Sequence, residues 1–257
     1  MPQQVGFDSY LICATPRTGS TLLCGLMEST GVAERPESYF RREDLDAYAD
    51  NWGVPRAADG PIDDVFVRAA VAAGSTANGI FSARIMWNTM TELTNALAAI
   101  TSDPTYSELE LLTRTFGRTL FVHLRRDDVV AQAVSWARAE HTHFWQPEEE
   151  LTPGGQDPHF DRDLISRLAQ TIDEHEAGWR AWFAEQGVVP HEIEYEDLAA
   201  DPIGVTRGAL DFLGLDLPAD RTIVARHRRQ ADDLNADWTT RFRSGTAVSA
   251  RWPPRWR

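Results

Sequence analysis

A buried strand that leads through a short polar turn into a helix is the feature that most constrains this fold. Residues 10–23 read YLICATPRTGSTLL, an apolar run followed by hydroxyl-bearing residues and then by leucines at helical spacing. The pattern predicts a strand over 9–15 and a helix over 20–30. The turn brings Arg17 and Gly19 to the start of that helix, where unpaired backbone N–H groups point outward. The sequence therefore predicts an anion-binding turn.

Strands and helices alternate along the rest of the chain. Apolar stretches predict further strands over 78–85 and 118–126 and an edge-type strand with a turn over 188–198. Helical spacing of apolar residues predicts helices near 43–50, 62–73, 89–100, 105–115, 127–141, 164–183 and 204–215. This order indicates an α/β fold, with a mainly parallel sheet flanked by helices. A chain of 257 residues is long enough to form it as one domain over 1–257.

The composition excludes several classes of protein. A net charge of -14 argues against a nucleic-acid partner, which needs a broad basic surface. No apolar run approaches the about 20 residues that cross a bilayer, and the N-terminus lacks the pattern of an export signal. The two cysteines, Cys13 and Cys24, do not form a disulfide framework. We therefore predict a cytoplasmic protein with no nucleic-acid partner and no membrane span.

The residues of the turn limit which anion it can bind. Ser20 and Thr21 offer hydroxyl donors, and Arg17 offers a planar fork that suits phosphate or sulfate. An ATP-binding loop needs G-x-x-x-x-G-K-[ST], but Ala14 stands at the first glycine and Ser20 at the lysine. A P-loop small-molecule kinase and a non-catalytic nucleotide binder nevertheless remain alternatives. The pair His141 and His143 has no third ligand at a recognisable spacing, so no metal is predicted.

Several motifs in order resemble the sulfotransferases that use 3′-phosphoadenosine 5′-phosphosulfate (PAPS), and most of all the bacterial trehalose 2-sulfotransferase type. The turn resembles their 5′-phosphosulfate loop, and LRRDDVVAQAVSWARA resembles the strand and helix that hold the 3′-phosphate. Other similar segments are STLLCGLMESTGVA, ARIMWN, GWRAWF and RRQADDLNADW. The similarity covers nearly the whole chain. It implies a P-loop-like sulfotransferase fold and PAPS as co-substrate without a metal. It also implies in-line sulfuryl transfer, with a carboxylate as general base, to a hydroxyl of a trehalose-like carbohydrate or other small metabolite. The similar enzymes suggest a homodimer.

The resemblance also implies which residues contact the donor. They are Arg17, Thr18, Gly19, Ser20 and Thr21 in the turn, then Arg126, Ser135 and Arg229 further along. Arg125 remains an alternative to Arg126, because nine residues separate Arg126 from Ser135, about one more than in the cytosolic animal enzymes.

The acceptor side departs from the family pattern at one position. The family carries its catalytic carboxylate in a Pro-x-Glu-aromatic-Phe context, which reads Pro-Glu-Ser-Tyr-Phe here, so Ser38 stands where that glutamate would be. Glu37 is our first choice as base, beside a catalytic Arg17; Glu34 and His123 are alternatives. The acceptor pocket is predicted to contain Ser38, Arg84, Trp87 and Asn88, whereas Trp179 and Trp182 are predicted to lie in the core.

Overall fold

The computed structural model describes residues 6–55, 62–142, 158–225 and 233–245. Its strands are β1 (Ser9–Ala14), β2 (Phe81–Met86), β3 (Thr119–Arg125) and β4 (His191–Glu194). Its helices are α1 (Ser20–Thr30), α2 (Leu45–Trp52), α3 (Asp64–Ala73), α4 (Trp87–Thr101), α5 (Glu108–Phe116), α6 (Val129–Thr142), α7 (Arg162–Gln186), α8 (Tyr195–Ala200), α9 (Pro202–Leu213) and α10 (Asp233–Ser244). A single 3₁₀ turn, Arg42–Asp44, precedes α2.

The four strands form one sheet in the order β2-β1-β3-β4, and every neighbouring pair is parallel. This confirms the predicted α/β class. Ala14 at the end of β1 lies opposite both Met86 and Leu124, so the carboxyl ends of β1, β2 and β3 lie side by side along one edge of the sheet, across the strands. Ligands of such sheets bind beyond this edge, and the β1–α1 turn starts there.

The predicted edge-type strand is present, but a helix stands where a turn was predicted. β4 ends at Glu194, and α8 begins at the next residue. Glu196 and Asp197 lie in the first turn of α8, where negative charge is stabilised by the helix dipole. The consequence is that Tyr195 starts a helix beside the β1–α1 turn instead of extending the sheet.

Both faces of the sheet are covered by apolar side chains. Leu11 and Cys13 face a core formed with α2 to α5 and the last part of α7, whereas Tyr10 and Ile12 face a core formed with α1, α8 and α9. Strands buried on both faces read as continuous apolar runs, as β1 does. Trp179 and Trp182 are 0% and 4% exposed, which confirms their predicted place in the core.

The chain divides into two compact units. The first contains residues 1–127 and 174–228, and therefore the sheet; the second contains 128–173 and 229–257. Within the second unit, α6, α10 and the first part of α7 pack around Trp238, Val134 and Ile165. The single domain over 1–257 stays a prediction. Among the described residues, no helix is both long and apolar enough to cross a membrane.

Candidate active site

The β1–α1 turn leaves the N-terminus of α1 without a side-chain cap. Its N-cap is Gly19 in the left-handed region (φ 84°), and a glycine has no side chain with which to cap the helix. A β-carbon at this position would lie 2.6 Å from Cδ2 of Tyr195, so only glycine fits. Arg17 is also left-handed, with φ 65°. The backbone of the turn is therefore held in a conformation that presents N–H groups to an anion.

Buried side chains support the turn from below. The indole Nε1 of Trp179 donates to the carbonyl of Ala14 at 3.0 Å, which anchors the end of β1 to α7. The hydroxyl of Thr18, fully buried, donates to the carbonyl of Thr15 at 2.9 Å. Because the Thr18 hydroxyl is used within the turn, the contribution of Thr18 to a ligand would come from its backbone N–H.

A buried carboxylate lies beneath the same turn. Glu176 of α7, 8% exposed, accepts a hydrogen bond from the Thr15 hydroxyl at 3.2 Å. Its other oxygen lies 3.3 Å from Nε2 of His123, which is 1% exposed and packs against Phe183. His123, an alternative for the base, is therefore enclosed by the core and has no access to an acceptor. Its contact with Glu176, which accepts from Thr15, indicates that His123 helps to position the β1–α1 turn.

The two adjacent arginines after β3 have different surroundings. Arg125 forms ion pairs with Glu194 and Asp127. The guanidinium of Arg126 lies 4.4 Å from the centre of the Tyr195 ring, and its Nη1 donates to the Arg17 carbonyl at 3.4 Å. Arg126 is thus the arginine that approaches the β1–α1 turn, while two carboxylates neutralise Arg125.

Arg84 of β2 connects the turn with the loop that follows α1. Its Nε donates to the Ser38 hydroxyl at 2.8 Å, and its Nη1 donates to the Thr21 hydroxyl at 3.0 Å. The segment at Glu37 runs parallel to β2, because the amide of Arg84 donates to the Glu37 carbonyl at 2.9 Å. Ser38, Thr21 and Arg84 therefore meet at the N-terminus of α1.

Comparisons with known proteins identify the family to which this chain belongs. A family model described as Stf0 sulphotransferase matches residues 9–245. This chain belongs to the Stf0 sulphotransferase family. It is 30% identical to the trehalose 2-sulfotransferase of Mycobacterium tuberculosis (strain ATCC 35801 / TMC 107 / Erdman), over 91% of this chain and 94% of that protein. It is 27% identical to the trehalose 2-sulfotransferase of Mycolicibacterium smegmatis (strain ATCC 700084 / mc(2)155), with the same coverages.

A solved sulfotransferase domain from the Synechococcus PCC 7002 olefin synthase covers 97% of this chain and 92% of that domain, at 16% identity and a TM-score of 0.42. The family model confirms the resemblance that the motifs indicated. The protein is a sulfotransferase, so the kinase alternative falls away.

The predicted base of this sulfotransferase forms an ion pair with an arginine. Successive residues of an extended segment point to opposite sides, and Ser38 points to Arg84. The Oε1 of Glu37 lies 2.7 Å from Nε of Arg35. Glu34 adopts a left-handed backbone, with φ 53°. The assignment of the base therefore stays a prediction. In the structure, Arg35 occupies the carboxylate of Glu37 that an acceptor hydroxyl would need.

The two remaining acceptor candidates lie at the start of α4. Trp87 is half-buried and packs edge-to-face on Trp179, with ring centres 5.1 Å apart. Gly178 makes this packing possible, because a β-carbon there would lie 2.3 Å from Cε2 of Trp87. Asn88 is exposed. Trp87 therefore has a packing role already, and Asn88 is available to a ligand.

Two donor-binding predictions fall in the second unit of the chain. Ser135 is part of α6 in the second unit, half-buried. Arg229 lies outside the described residues. The contacts of both with the donor stay predictions.

One cluster of metal-ligand types occurs in the described part of the second unit. Ligand atoms of His141, His159 and Asp161 lie within 4.8 Å of one another. The two imidazole rings are stacked, 4.2 Å apart and inclined by 11°. Lone pairs of stacked rings lie in parallel planes and cannot converge on one ion. One oxygen of Asp161 also accepts from the amide of Leu164. The absence of a metal requirement stays a prediction.

Sequence reasoning missed two residues of the site. Tyr195 was missed because an edge-type strand with a turn, and not a helix, was predicted around it. Glu176 carried a usable signal, since it falls on the same helical stripe as Trp179 and Phe183. A single carboxylate within an apolar stripe predicts a buried hydrogen-bonded group.

Proposed function

We propose that this sulfotransferase moves the sulfuryl group of PAPS to a hydroxyl group of a carbohydrate. The observation that carries the proposal is the α1 N-terminus, which opens at Gly19 beside Arg17 and Arg126. The acceptor class follows from the two relatives, both of which are named trehalose 2-sulfotransferase.

The donor would bind with its phosphosulfate at the turn. Backbone N–H groups of Thr18 and Gly19, the hydroxyls of Ser20 and Thr21 and the Arg17 fork supply donors for its oxygens. Arg126 would hold the 3′-phosphate, because Arg125 is already neutralised. Ser135 and Arg229 complete this proposed set.

The reaction would be an in-line displacement. The acceptor oxygen forms a bond to sulfur as the bond between sulfur and the bridging phosphate oxygen breaks, and 3′-phosphoadenosine 5′-phosphate (PAP) leaves. The acceptor proton passes to a carboxylate, for which Glu37 is the first candidate. Glu37 must exchange its contact with Arg35 for one with the acceptor. Ser38 and Asn88 would orient the acceptor hydroxyls, and Trp87 would supply an apolar wall.

The test is transfer of labelled sulfate from PAPS to a panel of sugars that includes trehalose. The wild type should give a sulfated sugar. Glu37→Gln should lower kcat by about 10²–10⁴-fold, which is the usual contribution of a general base. Glu34→Gln tests the alternative base and should stay within about 3-fold of the wild type if Glu37 is the base.

Two results would contradict the proposal in different ways. If no sugar is sulfated while other hydroxyl compounds are, the acceptor class is wrong. If Glu37→Gln retains wild-type kcat, the base lies elsewhere, whereas the donor assignment stands.

A further inference from the structure

Arg84 is a buried cation whose hydrogen-bond partners are uncharged. The residue is 9% exposed, and both of its side-chain hydrogen bonds go to hydroxyl groups, those of Ser38 and Thr21. None of the ion pairs formed between described residues includes Arg84. The Asp44 carboxylate interacts with Arg84 electrostatically, but it is paired with Arg41 and forms no ion pair with Arg84. The described surroundings of Arg84 therefore provide hydrogen bonds but no ion-pair partner.

Such an arrangement is unfavourable unless a ligand supplies the charge. Removing a guanidinium from water has a cost of several kcal/mol, which hydrogen bonds to hydroxyls offset only in part. A guanidinium also has five N–H donors, so the two hydrogen bonds to Ser38 and Thr21 leave other N–H groups able to bind a ligand. An anionic ligand with several oxygens would satisfy both the charge and the remaining donors.

The position of Arg84 indicates which anion this is. In the sheet it lies opposite Ile12, on the face that α1 covers. Its Nη1 reaches Thr21 in the first turn of α1, where the positive end of the helix dipole lies. The Thr21 oxygen accepts from Arg84, so the hydroxyl proton is left to donate to a ligand. Cation, hydroxyl and helix terminus thus converge on one position.

We propose that Arg84 is a catalytic residue that binds the sulfuryl oxygens of the donor, instead of an acceptor-binding residue. This proposal rests on the proposed function. As sulfur passes from the bridging phosphate oxygen to the acceptor oxygen, Arg84 donates N–H bonds to the non-bridging oxygens, and no proton leaves the guanidinium. The acceptor proton goes to the base, and PAP leaves with the electron pair of the broken bond.

The experiment compares wild type, Arg84→Gln and Arg84→Lys by kcat and by calorimetric titration with PAP. PAP lacks the sulfuryl group, so its Kd should change by less than about 3-fold in both variants. Loss of a preorganised donor usually costs about 10²–10³-fold in kcat, which is the expected effect of Arg84→Gln. Arg84→Lys keeps the positive charge but lacks the planar guanidinium, so its kcat should fall by about 10-fold. Arg42→Gln, at an exposed arginine paired with Glu92, is the control and should leave both quantities unchanged.

A neutral and a carboxylate-bearing sugar, each used as acceptor, distinguish the two sources of the anion. Equal loss of kcat with both sugars supports binding of the donor's sulfuryl group. A loss confined to the carboxylate-bearing sugar overturns the proposal, because the guanidinium then binds the acceptor. A parallel fall in PAP affinity also overturns it, since Arg84 then supports the turn as a whole. If the wild type itself transfers nothing from PAPS, the proposed function fails and this inference with it.

Discussion

Cys24 shows how burial sets the chemistry of a single residue. It lies in α1, is 3% exposed and forms no disulfide; Cys13 is also free and belongs to the core on the opposite face of the sheet. Burial is the main cause that raises the pKa of the Cys24 thiol from 9.0 to about 11. The folded protein therefore favours the neutral thiol.

Stability should consequently fall at high pH. A thiol whose pKa is raised by folding contributes stability that is fully present below the unfolded pKa of 9.0 and is lost as the pH rises through about 11. The contribution is about 2–3 kcal/mol. Urea unfolding between pH 8 and 11 should show a steeper decline for the wild type than for Cys24→Ala. Parallel curves would show that Cys24 does not titrate in this range.

At the scale of elements, the function depends on how β1 meets α1. The turn uses a left-handed glycine as N-cap, and Tyr195 of α8 covers the space that a side chain would need. Gly79 provides a natural comparison, because it has the same φ of 84° and no neighbouring atom within 4 Å of an added β-carbon.

We predict different outcomes for alanine at these two glycines. Both substitutions place an L-residue in the left-handed region, which costs about 1–2 kcal/mol of unfolding free energy. Gly19→Ala must also displace Tyr195, so the affinity for PAP should fall by at least about 10-fold as the anion-binding backbone shifts. Gly79→Ala should retain wild-type affinity. Calorimetric titration and thermal unfolding of the two variants measure this, and equal PAP affinities would remove the turn from the donor site.

For the whole molecule, the sharpest prediction concerns metals. Phosphoryl transfer uses Mg²⁺ to neutralise charge, whereas a sulfuryl group carries less negative charge and arginines suffice. Sulfate transfer should therefore be unchanged after treatment with EDTA and after addition of MgCl₂. Loss of activity with EDTA that Zn²⁺ restores would direct attention back to His141, His159 and Asp161. The cytoplasmic location and the homodimer stay predictions at this scale.

Much of the architecture was predictable because the signals are local. Apolar runs of six residues, helical spacing and a closing glycine depend only on neighbours in the chain, and β1, α1 and β3 lie within one residue of their predicted bounds. The parallel order followed from strands that alternate with helices. The helix α8 was missed because its residues suit both a turn after a strand and a short acidic helix, and only tertiary contacts decide between them.

The sequence by itself determined that a strand, a hydroxyl-rich turn with Arg17 and a helix form an anion site, since those groups are contiguous in the chain. It could not decide which of Arg125 and Arg126 approaches the turn, or show that Ser38 contacts Arg84 while Glu37 pairs with Arg35. Nor did it show that Arg84 joins them from a strand 46 residues beyond Ser38. These outcomes depend on which side of the sheet each side chain faces and on which distant elements meet there. Only the tertiary structure decides that, because the directions of side chains are set by packing across elements far apart in the chain.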